Sequence, residues 1–72
     1  MQYTANSIGQ QIRERRKDLK INQAKLAKLA GIGFNSLSRL ESGKGNPTLK
    51  SLLKIADILG FELKFVVRGS SK

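Results

Sequence analysis

The 72-residue chain contains no cysteine and no histidine. Without cysteine, neither a disulfide framework nor a thiolate metal site can stabilise so short a chain. Without histidine, the commonest metal ligand and the usual general base are both missing. Acidic residues are sparse as well, five Asp and Glu against fourteen Lys and Arg. Five scattered carboxylates leave little from which to build a catalytic constellation, so no enzyme, no metal and no cofactor is expected. Long apolar runs are also absent, and nothing approaches the ~20 residues of a membrane span. The opening stretch MQYTANSIGQQ lacks the basic n-region and apolar h-region of a signal peptide, so the cytoplasm is the expected location.

What remains is a small, strongly basic chain with a net charge of +9. One domain over residues 1–72 is the sensible reading. A domain of this size buries a modest share of its surface and is marginal alone. With staples and metals excluded, a compact helical core or an oligomer must supply the stability. The charge is an electrostatic footprint suited to a polyanion, nucleic acid before a membrane surface. Its plainer reading is a solvated basic surface.

Four helices and one strand can be read along the chain. The first helix runs from about Ile8 to Leu19, with Asn6 or Ser7 as its cap. Ile8, Ile12 and Leu19 share a face, and Arg15 or Arg16 fills the gap between them. RERRK, residues 13–17, places cations near the helix end, where the dipole favours them. The second helix is QAKLAKLAG, residues 23–31, capped by Asn22 and ended by Gly31. Leu26, Ala27 and Ala30 give it a small-residue face. The third spans Phe34 to Ser42, with Leu37 and Leu40 inward and Gly43 as its stop. GKGNP, residues 43–47, is a loop. The fourth runs from Leu49 to Leu59 between Thr48 and Gly60, with Leu49, Leu52, Leu53, Ala56 and Leu59 at helical spacing.

The period then changes to two. In FELKFVVR, residues 61–68, Phe61, Leu63, Phe65 and Val67 alternate with Glu62, Lys64, Val66 and Arg68, the pattern of a half-buried strand. MQYT is too short and polar to pair with it. One strand cannot satisfy its own backbone groups, and an open edge invites pairing. The same strand of a second copy, antiparallel across a twofold axis, is the simplest partner. GSSK at residues 69–72 reads as a flexible tail.

The second and third helices are separated by a turn of Gly31, Ile32 and Gly33. Ala27 is small where two helices must cross closely, and Gly31 suits a positive φ. Ile32, Leu37 and Leu40 anchor the third helix. This is the spacing of a helix-turn-helix, although a helical hairpin without a DNA role would show it too.

Residues 12–60, IRERRKDLKINQAKLAKLAGIGFNSLSRLESGKGNPTLKSLLKIADILG, resemble the Cro/cI-type (Xre family) helix-turn-helix domain. The elements carrying the likeness are Arg16, NQAKLA, Gly31, SLSRLESGK and NPTLKSLLKIADILG. The resemblance implies a mainly α, lambda repressor-like fold: a four-helix core over residues 7–60 and a dimerisation strand over 61–68. It implies that the third helix lies in the DNA major groove. Phe34, Asn35, Ser38 and Arg39 would then read base edges. Asparagine pairs bidentately with adenine, arginine with guanine, and phenylalanine touches a thymine methyl. Asn22, Gln23, Ser36 and Lys44 would hold the DNA backbone. Arg16 and Glu41 correspond to a structural pair bracing the first helix against the third. Lys17, Lys25, Lys28 and Lys54 are left as solvated faces that aid long-range steering.

The chain departs from the family pattern at Gly33, where a serine or threonine cap is usual, and at Phe34, usually polar. Phe34 could meet DNA, meet a protein partner or fold back on the domain. A helical domain with a terminal strand further resembles the HipB-type antitoxins, which repress their own operon and bind a HipA-like kinase toxin. The resemblance thus implies a dimeric repressor of a palindromic operator, cytoplasmic and nucleoid-associated, acting as antitoxin and autorepressor. A free-standing phage or chromosomal repressor is the alternative within that class. A protein-interaction module on a helix-turn-helix scaffold is the alternative outside it.

Overall fold

The computed structural model describes residues 5–69, with side chains from Ile8 onward. MQYT and the last three residues of the expected tail lie outside the described residues. Four helices follow one another: α1 (Ala5–Asp18), α2 (Gln23–Ala30), α3 (Phe34–Glu41) and α4 (Leu49–Leu59). None is long and apolar enough to cross a membrane.

The sequence patterning for α2, α3 and α4 leads directly to the observed elements. Asn22 accepts the backbone N–H of Lys25 at 2.8 Å, and Thr48 accepts that of Ser51 at 3.1 Å. Each bond satisfies an orphan donor of a helix start. Gly31 ends α2 at φ 70°. A Cβ there would touch nothing within 4 Å, so the requirement is for the backbone angle alone and not for space. The helix starting at Gln23 therefore turns sharply into Gly33 and α3.

α1 differs from the sequence reading at both ends. It begins at Ala5, so positions 6 and 7, expected ahead of the helix, lie within its first turn. Polar residues are tolerated there because first-turn N–H groups have no intrahelical partner. It ends at Asp18, and Lys20 adopts φ 60° with its N–H donating to the Lys17 carbonyl at 3.0 Å. A lysine thus takes the left-handed position where glycine is the usual signal. Leu19, expected on the inner face, is 41% exposed because the helix has already unwound.

Ile12, Leu26, Ala27, Ala30, Leu37, Leu40, Ile55 and Leu59 form the core, with Ile8, Ile21, Ile32, Leu52 and Ile58 packed around it. α3 lies against α1 and α2, and α4 against α2. On α4 the buried set is Ile55, Ala56 and Leu59. Leu49 and Leu53, expected inside, are 60% and 49% exposed. Apolar residues cover more than half the circumference of α4, so spacing alone does not select the inward arc.

The expected strand over 61–68 is not formed within the described chain: residues 61–67 belong to no helix or ladder. A strand needs a neighbour for its N–H and C=O groups, and a single chain supplies none. The alternating apolar residues are left outside, with Phe65 96% exposed and Phe61, Leu63 and Val67 also exposed.

Gly9 is the tightest point of the fold, and sequence patterning gave no sign of it. It is buried where α1 crosses the end of α3, and a Cβ there would overlap the Leu40 carbonyl oxygen. Alanine at this position would favour the helix by about 1 kcal/mol. It would also force the helices apart, at about 1–3 kcal/mol or more for overpacking. Gly9→Ala is therefore expected to lower stability, read as a reduced midpoint of thermal unfolding by circular dichroism.

Candidate nucleic-acid interface

One buried charge network holds the helix-turn-helix in place. Arg16 reaches from α1 to Glu41 at the end of α3, both of them at least 93% buried, with exposures of 7% and 5%. Its Nε donates to Glu41 Oε2 at 2.8 Å and its second guanidinium nitrogen to Oε1 at 2.9 Å. Its remaining terminal nitrogen donates to the Ile21 carbonyl at 2.9 Å. Gln23, the first residue of α2, donates its amide to Glu41 Oε1 at 3.0 Å. Three helices thus converge on one carboxylate, and among the described residues no buried side-chain polar atom lacks a partner. The hydrogen bonds to Glu41 raise the Arg16 pKa above its ordinary value, burial opposes this, and the Glu41 charge adds to it. A raised arginine pKa gives a contribution fully present below the unfolded value and lost only above it. The Arg16 guanidinium therefore stays charged throughout the physiological range.

A second tie was not visible in the sequence. Arg15 donates its Nε to the Leu59 carbonyl at 2.8 Å. It satisfies an orphan acceptor at the end of α4 and places a cation at that negative pole. Of the two arginines left open for the first helix, Arg16 is buried and Arg15 is the half-buried strap.

α3 turns Leu37, Leu40 and Glu41 inward, which leaves Phe34, Ser38, Asn35, Arg39 and Ser36 across its outer arc. Two grooves flank this arc. The first, of about 600 Å³, includes Arg13, Lys17, Asn22, Gln23, Phe34 and Ser38 in its walls. The second, of about 370 Å³, includes Ser36, Arg39, Asn46 and Thr48. The residues singled out from the sequence are thereby divided. Phe34 and Ser38 stand with Asn22 and Gln23, while Ser36 stands with Arg39 on the other side. Asn35 lies exposed and Lys44 follows the helix, exposed as well.

Phe34 is 52% exposed at the first turn of α3, so it is not folded into the core. Gly33 before it caps without a side-chain bond. Arg39 makes one long contact, 3.4 Å to the Lys44 carbonyl, and its other donors face outward. Asn22 and Gln23 have already committed one polar atom each, to the Lys25 N–H and to Glu41. Their remaining amide hydrogens are what they can offer an anion.

This arrangement, two helices joined at a left-handed glycine with the second presenting a polar arc, is a helix-turn-helix. A family model described as helix-turn-helix matches residues 12–66. The chain belongs to that family, in its Cro/cI-type (Xre) branch. It is 43% identical over 63 residues to the HTH-type transcriptional regulator DicA of Escherichia coli (strain K12), covering 88% of this chain and 47% of DicA. The chain spans about half the length of the curated relatives it matches. Among solved structures it is similar to the restriction-modification controller protein C.AhdI from Aeromonas hydrophila. That match has a TM-score of 0.76 at 33% identity, covering 81% of this chain and 88% of that one. It is also similar to HipB in complex with an O2 20mer, with a TM-score of 0.77 at 25% identity and 94% of both chains covered.

Removing one partner of a buried pair strands the other charge, at about 3–5 kcal/mol. Total stabilities of such domains are about 5–15 kcal/mol. Glu41→Ala is expected to lower the midpoint of thermal unfolding strongly by circular dichroism, whereas Lys25→Ala on the exposed face of α2 leaves the melting curve in place.

Proposed function

We propose that this chain is a sequence-specific, double-stranded-DNA-binding transcriptional repressor acting as a homodimer. The observation that carries this reading is the outer arc of α3. It is free of intramolecular partners apart from one long Arg39 contact, and it is held rigidly by the Arg16–Glu41–Gln23 network beneath it. A recognition helix needs both properties, since base-edge hydrogen bonds tolerate little angular error. Asn35 is suited to adenine and Arg39 to guanine, each through paired hydrogen bonds, and Phe34 to a thymine methyl. Asn22, Gln23, Ser36 and Lys44 surround that arc and suit the phosphates on either side. The +9 charge supplies the sequence-independent attraction that brings the chain to a duplex.

The homodimer is supported by the apolar residues left outside. Phe61, Leu63, Phe65 and Val67, with Leu49 and Leu53 of α4, are all exposed. Exposed apolar surface of this kind marks an interaction site. A twofold pair of the 61–68 segments would complete the missing ladder and place two recognition helices ~34 Å apart, one turn of duplex. Similarity to HipB over 94% of the chain, which takes in all but a few residues, favours an antitoxin and autorepressor role with a HipA-like kinase toxin as partner. Co-purification with the product of a neighbouring kinase-like gene would support that role, and its failure would favour a free-standing repressor.

Selection of duplexes from a random pool is expected to yield a palindrome with half-sites about one helical turn apart. Equal affinity for the selected and random duplexes at physiological salt would sink the specific reading, and unchanged mobility of promoter DNA together with tight binding of a protein partner would favour a protein-interaction module. Arg39→Ala is expected to cost ~1–3 kcal/mol on the selected site and to relax preference at one position. In analytical ultracentrifugation, Phe65→Lys with Val67→Lys is expected to shift the protein from dimer to monomer while the helical circular dichroism is retained.

A further inference from the structure

The first groove carries charge that the base-reading arc does not require. Arg13 and Lys17 lie four residues apart on α1, hence on one face. Both line the groove beside Gln23, Phe34 and Ser38. Like charges at this spacing repel one another unless an anion lies between them. Neither has a carboxylate within ion-pair distance: among the described residues the pairs are Arg16–Glu41 and Lys64–Glu62. The carboxylate lining this groove is Glu41, and both its oxygens already accept from Arg16 and Gln23. The groove therefore offers two uncompensated cations and no available anion, directly beside the arc of α3.

We infer that Arg13 and Lys17 form a phosphodiester seat on α1, which grips the DNA backbone flanking the bases beneath Phe34 and Ser38. The inference rests on the DNA-binding reading above and extends its backbone contacts from the helix-turn-helix pair to the first helix. Arg13 presents a planar fork that matches two phosphate oxygens, and Lys17 a compact charge that follows the same strand. Lys17, read from sequence as a solvated residue, thereby gains a specific role. The seat fixes the register of α3 along the groove and adds no base preference of its own.

The test compares the unaltered chain with Arg13→Gln/Lys17→Gln and with Lys50→Gln/Lys54→Gln. The latter removes the same charge from α4 at residues that line neither groove. Each is titrated against the selected duplex and against sheared genomic DNA over a range of salt. Each phosphate contact contributes about 0.9 to the slope of log affinity against log salt. The groove variant is expected to lower that slope by about 1–2 and to weaken both DNAs to the same extent. The α4 variant should change the slope by far less, and melting curves of all three should coincide. A groove variant indistinguishable from the α4 variant overturns the seat, and so does a loss confined to the selected duplex. A scan of single methylphosphonate linkages with the unaltered protein gives an independent reading. Sensitive phosphates outside the bases read by α3, whose sensitivity vanishes in the groove variant, support the seat. Their absence overturns it. If no preferred sequence exists, the repressor reading fails while the genomic-DNA titration still decides the seat. If the chain binds no DNA, both fail.

Discussion

The Arg16–Glu41 pair is the constraint on which the other elements of this chain depend. A buried ion pair contributes little net stability relative to well-packed apolar residues, because desolvation offsets the attraction. Its effect is geometric. A guanidinium fork and a carboxylate meet in one relative orientation, and here the fork belongs to α1 and the carboxylate to the last turn of α3. Gln23 joins the same carboxylate from the start of α2. The tilt of the exposed helix is consequently set from below by α1 and α2 at once.

Close packing supports the same geometry. Gly9 lets α1 pass directly over the Leu40 carbonyl, which brings Arg16 within reach of Glu41. Arg15 ties the far side of α1 to the end of α4. α1 therefore acts as a brace whose inner face is spent on structure. Its outer face carries Arg13 and Lys17 into the groove beside α3. One helix thus contributes both to the rigidity of the outer arc of α3, through Arg16, and to the charge beside it, through Arg13 and Lys17.

The C-terminal segment shows the opposite situation. Residues 61–67 carry a strand pattern without the neighbour that a strand requires. Leu49 and Leu53 add an uncovered apolar stripe on α4. For a 72-residue chain with no cysteine or histidine, covering such surface with a second copy would add stability that a single core of this size does not supply.

Much of the fold was legible from local chemistry. Asn22 and Thr48 are side-chain caps, and Gly31 is the left-handed stop between two helices. Each acts within a turn or so of its own position, so spacing alone identifies it. The outer arc of α3 was legible for the same reason, since Leu37 and Leu40 define its inner side. Other features depend on residues distant in sequence and became visible only in three dimensions. Gly9 looks like a poor helix residue until Leu40 is placed above it, and Arg15 looks like surface charge until the α4 carbonyl arrives. The apolar stripe of α4 is too broad to reveal that Ile55 goes in and Leu53 stays out. The α3 residues Phe34 and Ser38 separate into one groove and Ser36 and Arg39 into the other because α1 and the loop before α4 stand on either side. Sequence determined which segments are helices and where α2, α3 and α4 stop, because those choices are made by neighbours a few residues away. Tertiary structure decided which charges are buried, which glycine is indispensable and which cations face the groove, because each depends on what another helix brings to the same place.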